Sequence, residues 1–519
     1  MKKLPIDFSL SLDQKGQNES LSQAQGLFPI LTDLDDNQAL LQKHWSNCLD
    51  IQFRQLQSGG TQILLVWLKT LVGKELAQQG VLNPLTSHNA PIRTPQDLEQ
   101  FLTAVYLQRL RNMDEINKAI ADGYMVVLIE GANEAVAIDV TAWEGRPIEK
   151  PELEPGVLGP QESFTESLEK NLGLLRRRLR TSDLKMESIR LGTVTQAPVS
   201  IVYLQGVAKP ELVDEVRLRL SRIQIDGTID INYISEMTKD AIRSPYPTDQ
   251  ITERPDRAAA ALLQARVAII LDGSPYALFV PALFVNFMNS SEDYYGNYTI
   301  SVPVRLLRHS TFWASLLLPA LYIALLSYHQ EMLPTALLVR LAATHEGIPF
   351  PAVIEAFIMV ITFEALREAG IRLPKAVGQS VSIVGALVIG DAAVNAGIVS
   401  PGMVIVVALT GVASFSIPSY NMALTNRILQ FPFMILAGLF GLYGITIGLL
   451  ILMTHLVSLR SFGMPYLYPL APFDWKTIKG DVFARDAWWN MRQRPNAFGS
   501  INSNENATPR PQPPQGEPS

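Results

Sequence analysis

The sequence has 519 residues, 48% hydrophobic and 18% charged, with a mean hydropathy of +0.15. That is too polar for a chain made wholly of membrane spans and too apolar for an ordinary soluble protein, so two kinds of region share one chain. The formal net charge of −6 gives no reason to expect nucleic acid, and the single cysteine, Cys48, excludes an intramolecular disulfide framework and a cysteine-rich metal site.

The first twenty residues, MKKLPIDFSLSLDQKGQNES, carry two lysines but no apolar core behind them, so they are not expected to act as a secretory signal. Residues 1–35 are expected to form a loose polar arm. From Ala39 the pattern predicts a helical opening, then a strand over DIQFRQL (Asp50–Leu56) and a buried strand over Gln62–Leu68. Lys74–Gln79 and Pro95–Leu110 are expected to be helical, with Thr94 as N-cap and Pro95 at the first helical position. Tyr124–Ile129 and Glu134–Val140 are expected as strands about a tight turn at Gly131-Ala132-Asn133. Pro147–Pro160, with four prolines and several acids, is expected to be a linker.

After that linker the same order of elements returns. LVWLKTLVGKEL (Leu65–Leu76) lies on IVYLQGVAKPEL (Ile201–Leu212) at an offset of 136, and VVLIEG (Val126–Gly131) on AIILDG (Ala268–Gly273) at an offset of 142. Two matches in the same order at nearly one offset suggest a duplicated α/β subdomain, the first over 36–146, the second over 166–304, joined by a linker at 147–165. The bare alternative is that strand–turn–helix units resemble one another. Arg176, Arg177, Arg178 and Arg180 form a basic helical patch whose default is a solvated face.

Residues 305–460 change character. From Ala376 to Leu459 only Asp391 and Arg427 carry a formal charge, and uncharged apolar runs of about 20 residues fit the hydrocarbon thickness of a bilayer. Thr311–Ser327 is expected to be the first span, with Arg305, Arg308 and His309 in front of it placing the N-terminal region in the cytosol. Pro334–Thr344 is expected at the interface. Ile348–Ala369 is a second candidate, a Gly- and Ala-rich pair around Ser400-Pro401-Gly402 gives two more, and Phe431–Leu456 is long enough to cross with tilt. Lys476, Lys479, Arg485, Arg492 and Arg494 argue that residues 461–494 are also cytosolic. Both ends inside require an even number of crossings, so five candidates become about four spans plus a re-entrant or interfacial segment. The tail over 495–519, ending PRPQPPQGEPS, cannot build a core. The expected class is therefore an α+β cytosolic region of two similar α/β subdomains followed by a polytopic α-helical membrane domain.

The segments TERPDRAAAALLQARVAIILDGSP (Thr252–Pro275), SEDYYGNY (Ser291–Tyr298), SLLLPALYIALLSYHQEMLPT (Ser315–Thr335), EGIPFPAVIEAF (Glu346–Phe357), Phe363–Thr410 and LAGLFGLYG (Leu436–Gly444) resemble the A subunit of GerA-type spore germination receptors. The resemblance is strong over about 250–470 and looser over the N-terminal lobes. It implies a multi-pass subunit of a nutrient receptor in the spore inner membrane, partnered by a transporter-like nutrient-binding B subunit and a lipoprotein C subunit. It also implies self-association into a ring enclosing a nutrient-gated ion channel. An A-like protein associated with dipicolinate release is the near neighbour in that resemblance.

Ionisable groups inside a bilayer are costly and are functional candidates by default. On a helix, Glu355, Met359, Thr362 and Leu366 share one stripe, whose first three members are candidates to line a pore. Glu364 and Glu368 lie on another face, where they are either a carboxylate ring attracting cations or partners of Arg367 and Arg372 at spacings of 3 and 4. Asp391 and Asn395 stand at i and i+4 on a Gly/Ala-rich segment, with no other formal charge within fifteen residues of Asp391. His329, His345 and His455 are expected to be interfacial and not metal ligands. Gly73, Gly131 and Gly273 punctuate strands, since neither GxGxxG nor GxxxxGK[ST] occurs, and no GxSxG nucleophile motif occurs either. An enzyme is not expected, and no cofactor is implied. The alternatives left open are a gated channel subunit in contact with membrane lipid, a scaffold for the other subunits, and a transporter with its own substrate site.

Overall fold

The computed structural model describes residues 29–87, 90–102, 106–142, 158–373 and 388–483, together with 151, 154 and 156. The expected polar arm up to residue 28 and the proline-rich tail lie outside the described residues. The chain forms two compact units, one of residues 1–146 with 176–186, the other of 147–175 with 187–519.

The first unit begins earlier than its periodicity suggests. Asp33 caps helix α1 (Leu34–His44) by accepting hydrogen bonds from the Asp35 and Asp36 amides, so order starts within the expected arm. Five strands follow: β1 (Ile51–Ser58), β2 (Thr61–Leu68), β3 (Leu107–Leu110), β4 (Met125–Ile129) and β5 (Ala135–Ile138). They form one sheet in the order β1-β2-β4-β5-β3, with β1–β2, β2–β4, β4–β5 and β3–β5 antiparallel. Both faces are covered. Leu64, Val66, Val126 and Leu128 pack under α1 and α3 (Met113–Asp122), while Ile63, Leu65, Val127 and Ile129 pack on Val81, Leu85 and Leu98. This explains why β4 reads as an unbroken apolar run.

The helix expected over Pro95–Leu110 is corrected. Helix α2 covers Pro95–Phe101 with Thr94 as its N-cap, and Leu107–Leu110 is instead the edge strand β3, in register with Ala135–Ile138. Pairing to an open sheet edge outweighs a weak helical preference.

The solvated face expected for the basic patch holds at Arg180, which is exposed, and is corrected at Arg176. Helix α4 spans Leu168–Arg178, and Arg176, at its end, is fully buried. Its Nε and Nη2 donate to both oxygens of Asp50 at 3.0 and 2.9 Å, and Nη1 donates to the carbonyls of Thr181 and Leu184. The guanidinium lies 5.6 Å from the Trp45 ring centroid. A bidentate pair sealed in this way is a structural post, not a solvated face.

The second sheet, which belongs to the second unit from residue 187 onward, consists of β6 (Leu184–Leu191), β7 (Ala197–Leu204), β8 (Gln250–Thr252), β9 (Val267–Leu271) and β10 (Ala277–Val280), ordered β6-β7-β9-β10-β8. The order repeats that of the first sheet strand for strand. β7 follows β2 by 136 residues and β9 follows β4 by 142, the offsets at which the sequence matches itself. Gly131 and Gly273, matched in that alignment, both adopt positive φ, 81° and 88°, at equivalent turns. The antiparallel pairings within β1–β5 and within β7–β10 make each lobe α+β in arrangement. Helices α5 (Pro210–Ser221), α6 (Ile231–Thr238) and α7 (Pro255–Leu263) complete this lobe. The end of the expected linker is tied down on it: Arg254 donates to the carbonyls of Glu154 and Pro160, and the Phe164 amide to the Glu253 carbonyl.

The rest of this unit is helical: α8 (Tyr298–Ser327), α9 (Thr335–His345), α10 (Ala352–Arg372), α11 (388–395), α12 (Pro401–Phe415) and α13 (Tyr420–Ser458). Two of these, α8 and α13, are long and apolar enough to cross a membrane. The single tilted crossing expected for Phe431–Leu456 is corrected. Gly441 has φ 60° and ψ −138°, a conformation open essentially only to glycine, and the chain folds back there. A Cβ on Gly448 would stand 2.8 Å from the Phe433 ring. Fifteen residues of straight helix would separate those two positions by roughly 22 Å. α13 is therefore a hairpin with legs 420–440 and 442–458, packed beside α8 through Phe312, Leu316, Ala320, Phe433 and Ala437.

Candidate functional site

The polar groups of the helical region fall into three layers along α8. At its foot, Arg305 and Arg308, which the sequence sets in front of the first expected span, are buried. Asp293 accepts from Arg305 Nε at 3.1 Å and from Arg308 Nη1 at 2.7 Å. Arg305 Nη1 also donates to Asp481, whose carboxylate accepts the Tyr294 hydroxyl at 2.8 Å. Burial pushes the Asp293 carboxyl up, but the Arg308 hydrogen bonds and the charges of Arg308 and Arg305 outweigh it, leaving the group below its usual range. The segment around Asp481, which follows the hairpin, is thus clamped to the start of α8.

In the middle layer, Asn426 on the hairpin donates to the Phe312 carbonyl at 3.0 Å and to Ser315 Oγ at 2.6 Å, and Thr311 Oγ1 lies 2.5 Å from Ser416 Oγ. Where lipid removes the hydrophobic effect between helices, such contacts and close packing hold them together.

The third layer contains Glu355, which is fully buried. Ser400 is the N-cap of α12: its Oγ accepts from the Met403 amide at 3.3 Å, while its own amide donates to Glu355 Oε2 at 2.8 Å. Oε1 lies 3.1 Å from His345 Nδ1, near enough for an ion pair with a protonated imidazole but not aligned as a hydrogen bond. Tyr322 Oη is 3.5 Å from His345 Nε2. One carboxylate therefore joins α10 to the start of α12, where an anion complements the helix dipole.

The other expected site residues are dispersed. Met359 is buried in the bundle core and Thr362 is half-buried on the same helix. Glu364 pairs with Arg367, and Glu368, exposed, pairs with Arg372 at 2.7 Å. Asp391 is exposed and accepts from Asn395 Nδ2 at 3.1 Å. The structure brings Glu355 and Met359 into one core, keeps Glu364 and Glu368 in local pairs, and sets Asp391 with Asn395 on a separate helix. Sequence reasoning missed His345 and Ser400 as partners of Glu355. The Ser-Pro step at 400–401 was a readable N-cap signature. The contact with Glu355, forty-five residues earlier, left no local trace. Among the described residues no group of three or more His, Cys, Asp or Glu side chains could hold a metal ion.

Comparison with known proteins places these features in context. The family model described as Bacillus/Clostridium GerA spore germination protein matches residues 39–497. The uncharacterized membrane protein YfkQ of Bacillus subtilis (strain 168) is 42% identical over 482 residues, covering 92% of this chain and 94% of that one. Spore germination protein KA of the same organism is 40% identical over 472 residues, 90% of this chain and 87% of that one. The crystal structure of the N-terminal domain of the A subunit of the Bacillus megaterium spore germinant receptor GerK3 matches with a TM-score of 0.40 at 26% identity, covering 50% of this chain and 98% of that one.

Proposed function

Because this chain belongs to the GerA family of spore germination proteins, we propose that it is an A-type subunit of a nutrient germinant receptor in the spore inner membrane, acting without catalysis. In this reading the two lobes are cytosolic, the helices from α8 onward form a polytopic membrane domain, and copies of the chain close a ring around a gated ion path. A transporter-like subunit binds the nutrient and a lipoprotein subunit completes the complex. What carries the reading is that the family match runs through both the lobes and the apolar helices, so that one chain joins soluble modules to a bilayer region. Gating then needs nutrient binding to favour one packing of the helices over another, since a ligand shifts an equilibrium only by its differential affinity. The joint Glu355–Ser400–His345 is a suitable element to break, because it ties two helices by one buried carboxylate.

The burial of Glu355 and Met359 within one chain, and the local pairing of Glu364 and Glu368, favour a second reading: a scaffold holding the other subunits while ions pass elsewhere. The purified complex separates the two. A closed ring of this chain with a central membrane opening, and altered germinant-triggered cation release from spores carrying Glu355→Ala at normal receptor levels, supports the channel. One copy per complex with unchanged release supports the scaffold.

A further inference from the structure

We infer that the groove at the foot of the helical hairpin, flanked by Arg243 and Arg460, holds the phosphate headgroup of an anionic phospholipid. The inference rests on the reading that α13 lies in the bilayer.

The groove has a volume of about 880 Å³ and is built where the second lobe meets the hairpin, from the loop after α6, the end of the 442–458 leg and the turn after it. Its size falls within the range of small-ligand pockets, about 300–1,000 Å³. Its walls are fixed. His455 Nε2 lies 2.9 Å from Ser244 Oγ, and Thr425 Oγ1 donates to the Pro245 carbonyl at 2.6 Å, so both legs of the hairpin hold the loop that carries Arg243.

The acidic groups of the groove are already used. Arg219 donates to Glu215 at 2.8 Å and to Asp240 at 2.6 Å, and the Phe462 amide donates to the other Asp240 oxygen at 2.5 Å. Arg243 and Arg460 are exposed, and among the described residues neither has an ion-pair partner. The groove thus presents two surplus cations beside satisfied carboxylates.

The surroundings identify the occupant. On the 442–458 leg the side chains of Leu450, Ile451 and Val457 are 69%, 63% and 57% exposed, an apolar surface that ends abruptly at Arg460. Ile242, next to Arg243, is 75% exposed. A free anion would need only the arginines. An apolar helix face that ends at Arg460, with an exposed isoleucine lining the same groove as Arg243 and Arg460, fits a molecule that carries both acyl chains and a negative phosphate.

The test uses the full chain reconstituted in phosphatidylcholine vesicles with and without phosphatidylglycerol, re-extracted in mild detergent, with the retained phospholipid identified by native mass spectrometry. The expected result is selective retention of phosphatidylglycerol, weakened by salt. The double variant Arg243→Gln/Arg460→Gln should lose about twenty- to thirtyfold of that selectivity, roughly fivefold per arginine. Arg190→Gln, an exposed arginine outside the groove, should leave it unchanged. Equal retention of both lipids by the wild-type chain, or undiminished selectivity in the double variant, overturns the inference. Displacement of phosphatidylglycerol by inorganic phosphate, with no effect of Ile242→Ser, overturns the lipid as occupant. The salt dependence of the wild-type chain decides the matter if the double variant does not fold, since a salt-independent preference excludes the arginines. A chain that fails to enter vesicles of either composition overturns the membrane reading together with this one.

Discussion

Gly441→Ala tests the hairpin, because the two geometries open to residues 420–458 give effects of opposite sign. At φ 60° and ψ −138° an alanine is strained, and its Cβ would stand 2.8 Å from His329 Cε1 and 2.9 Å from Tyr328 Cβ. Backbone strain of about 1–3 kcal/mol, with a similar term for displacing those neighbours, gives a loss of roughly 2–5 kcal/mol. Were residues 420–458 one straight helix, the same change would stabilise by about 0.5–1 kcal/mol, the ordinary preference for alanine over glycine in a helix. Gly390→Ala supplies the control. That glycine is helical, and a Cβ there would meet only Val404 Cγ1 at an ordinary 3.7 Å, so it should be neutral or slightly stabilising. The measurement is unfolding of the purified full chain in mild detergent, followed by far-ultraviolet circular dichroism. A gain in stability for Gly441→Ala, matching that of Gly390→Ala, would refute the turn.

Three further outcomes are expected. Asp50→Ala strands a buried guanidinium and should cost about 3–5 kcal/mol, whereas Asp50→Leu with Arg176→Met should recover most of the loss, as read by thermal unfolding of the full chain. Glu355→Gln keeps an acceptor for the Ser400 amide but removes its charge, and should loosen the α10–α12 joint by about 1–2 kcal/mol; wild-type stability together with wild-type cation release would remove Glu355 from any gating role. Asp256 and Asp293 both titrate below the usual carboxylate range: burial pushes each up, but the hydrogen bonds and charges of Arg254 and Tyr295, or of Arg308 and Arg305, prevail. Their stabilisation is therefore full above the unfolded value of 3.8 and is lost as pH falls through the lower folded values. Unfolding measured from pH 6 downward should show an acid-sensitive limb, and Asp293→Asn should flatten it.

The sequence alone determined what depends on local pattern. The charge-poor run after Ala376 set apart the apolar region, and period and capping placed β2, β4 and the start of α2. The self-match at offsets of 136 and 142 anticipated two sheets of one strand order, because equivalent strands need equivalent apolar runs and Gly131 and Gly273 need the same left-handed turn. The i, i+3 and i, i+4 spacings of Glu364–Arg367 and Glu368–Arg372 likewise became contacts, since helical neighbours are fixed by 3.6 residues per turn. Only the tertiary structure decided the rest. Leu107–Leu110 became a strand because an edge of the first sheet was open to it. Arg176 was sealed against Asp50, 126 residues away, and Glu355 against Ser400, 45 residues away, pairings that long-range packing creates and no local period encodes. The fold-back at Gly441 was hidden for the same reason: a lone glycine in an apolar run is compatible with straight helix or with a turn, and the packing of both legs along α8 selects the turn.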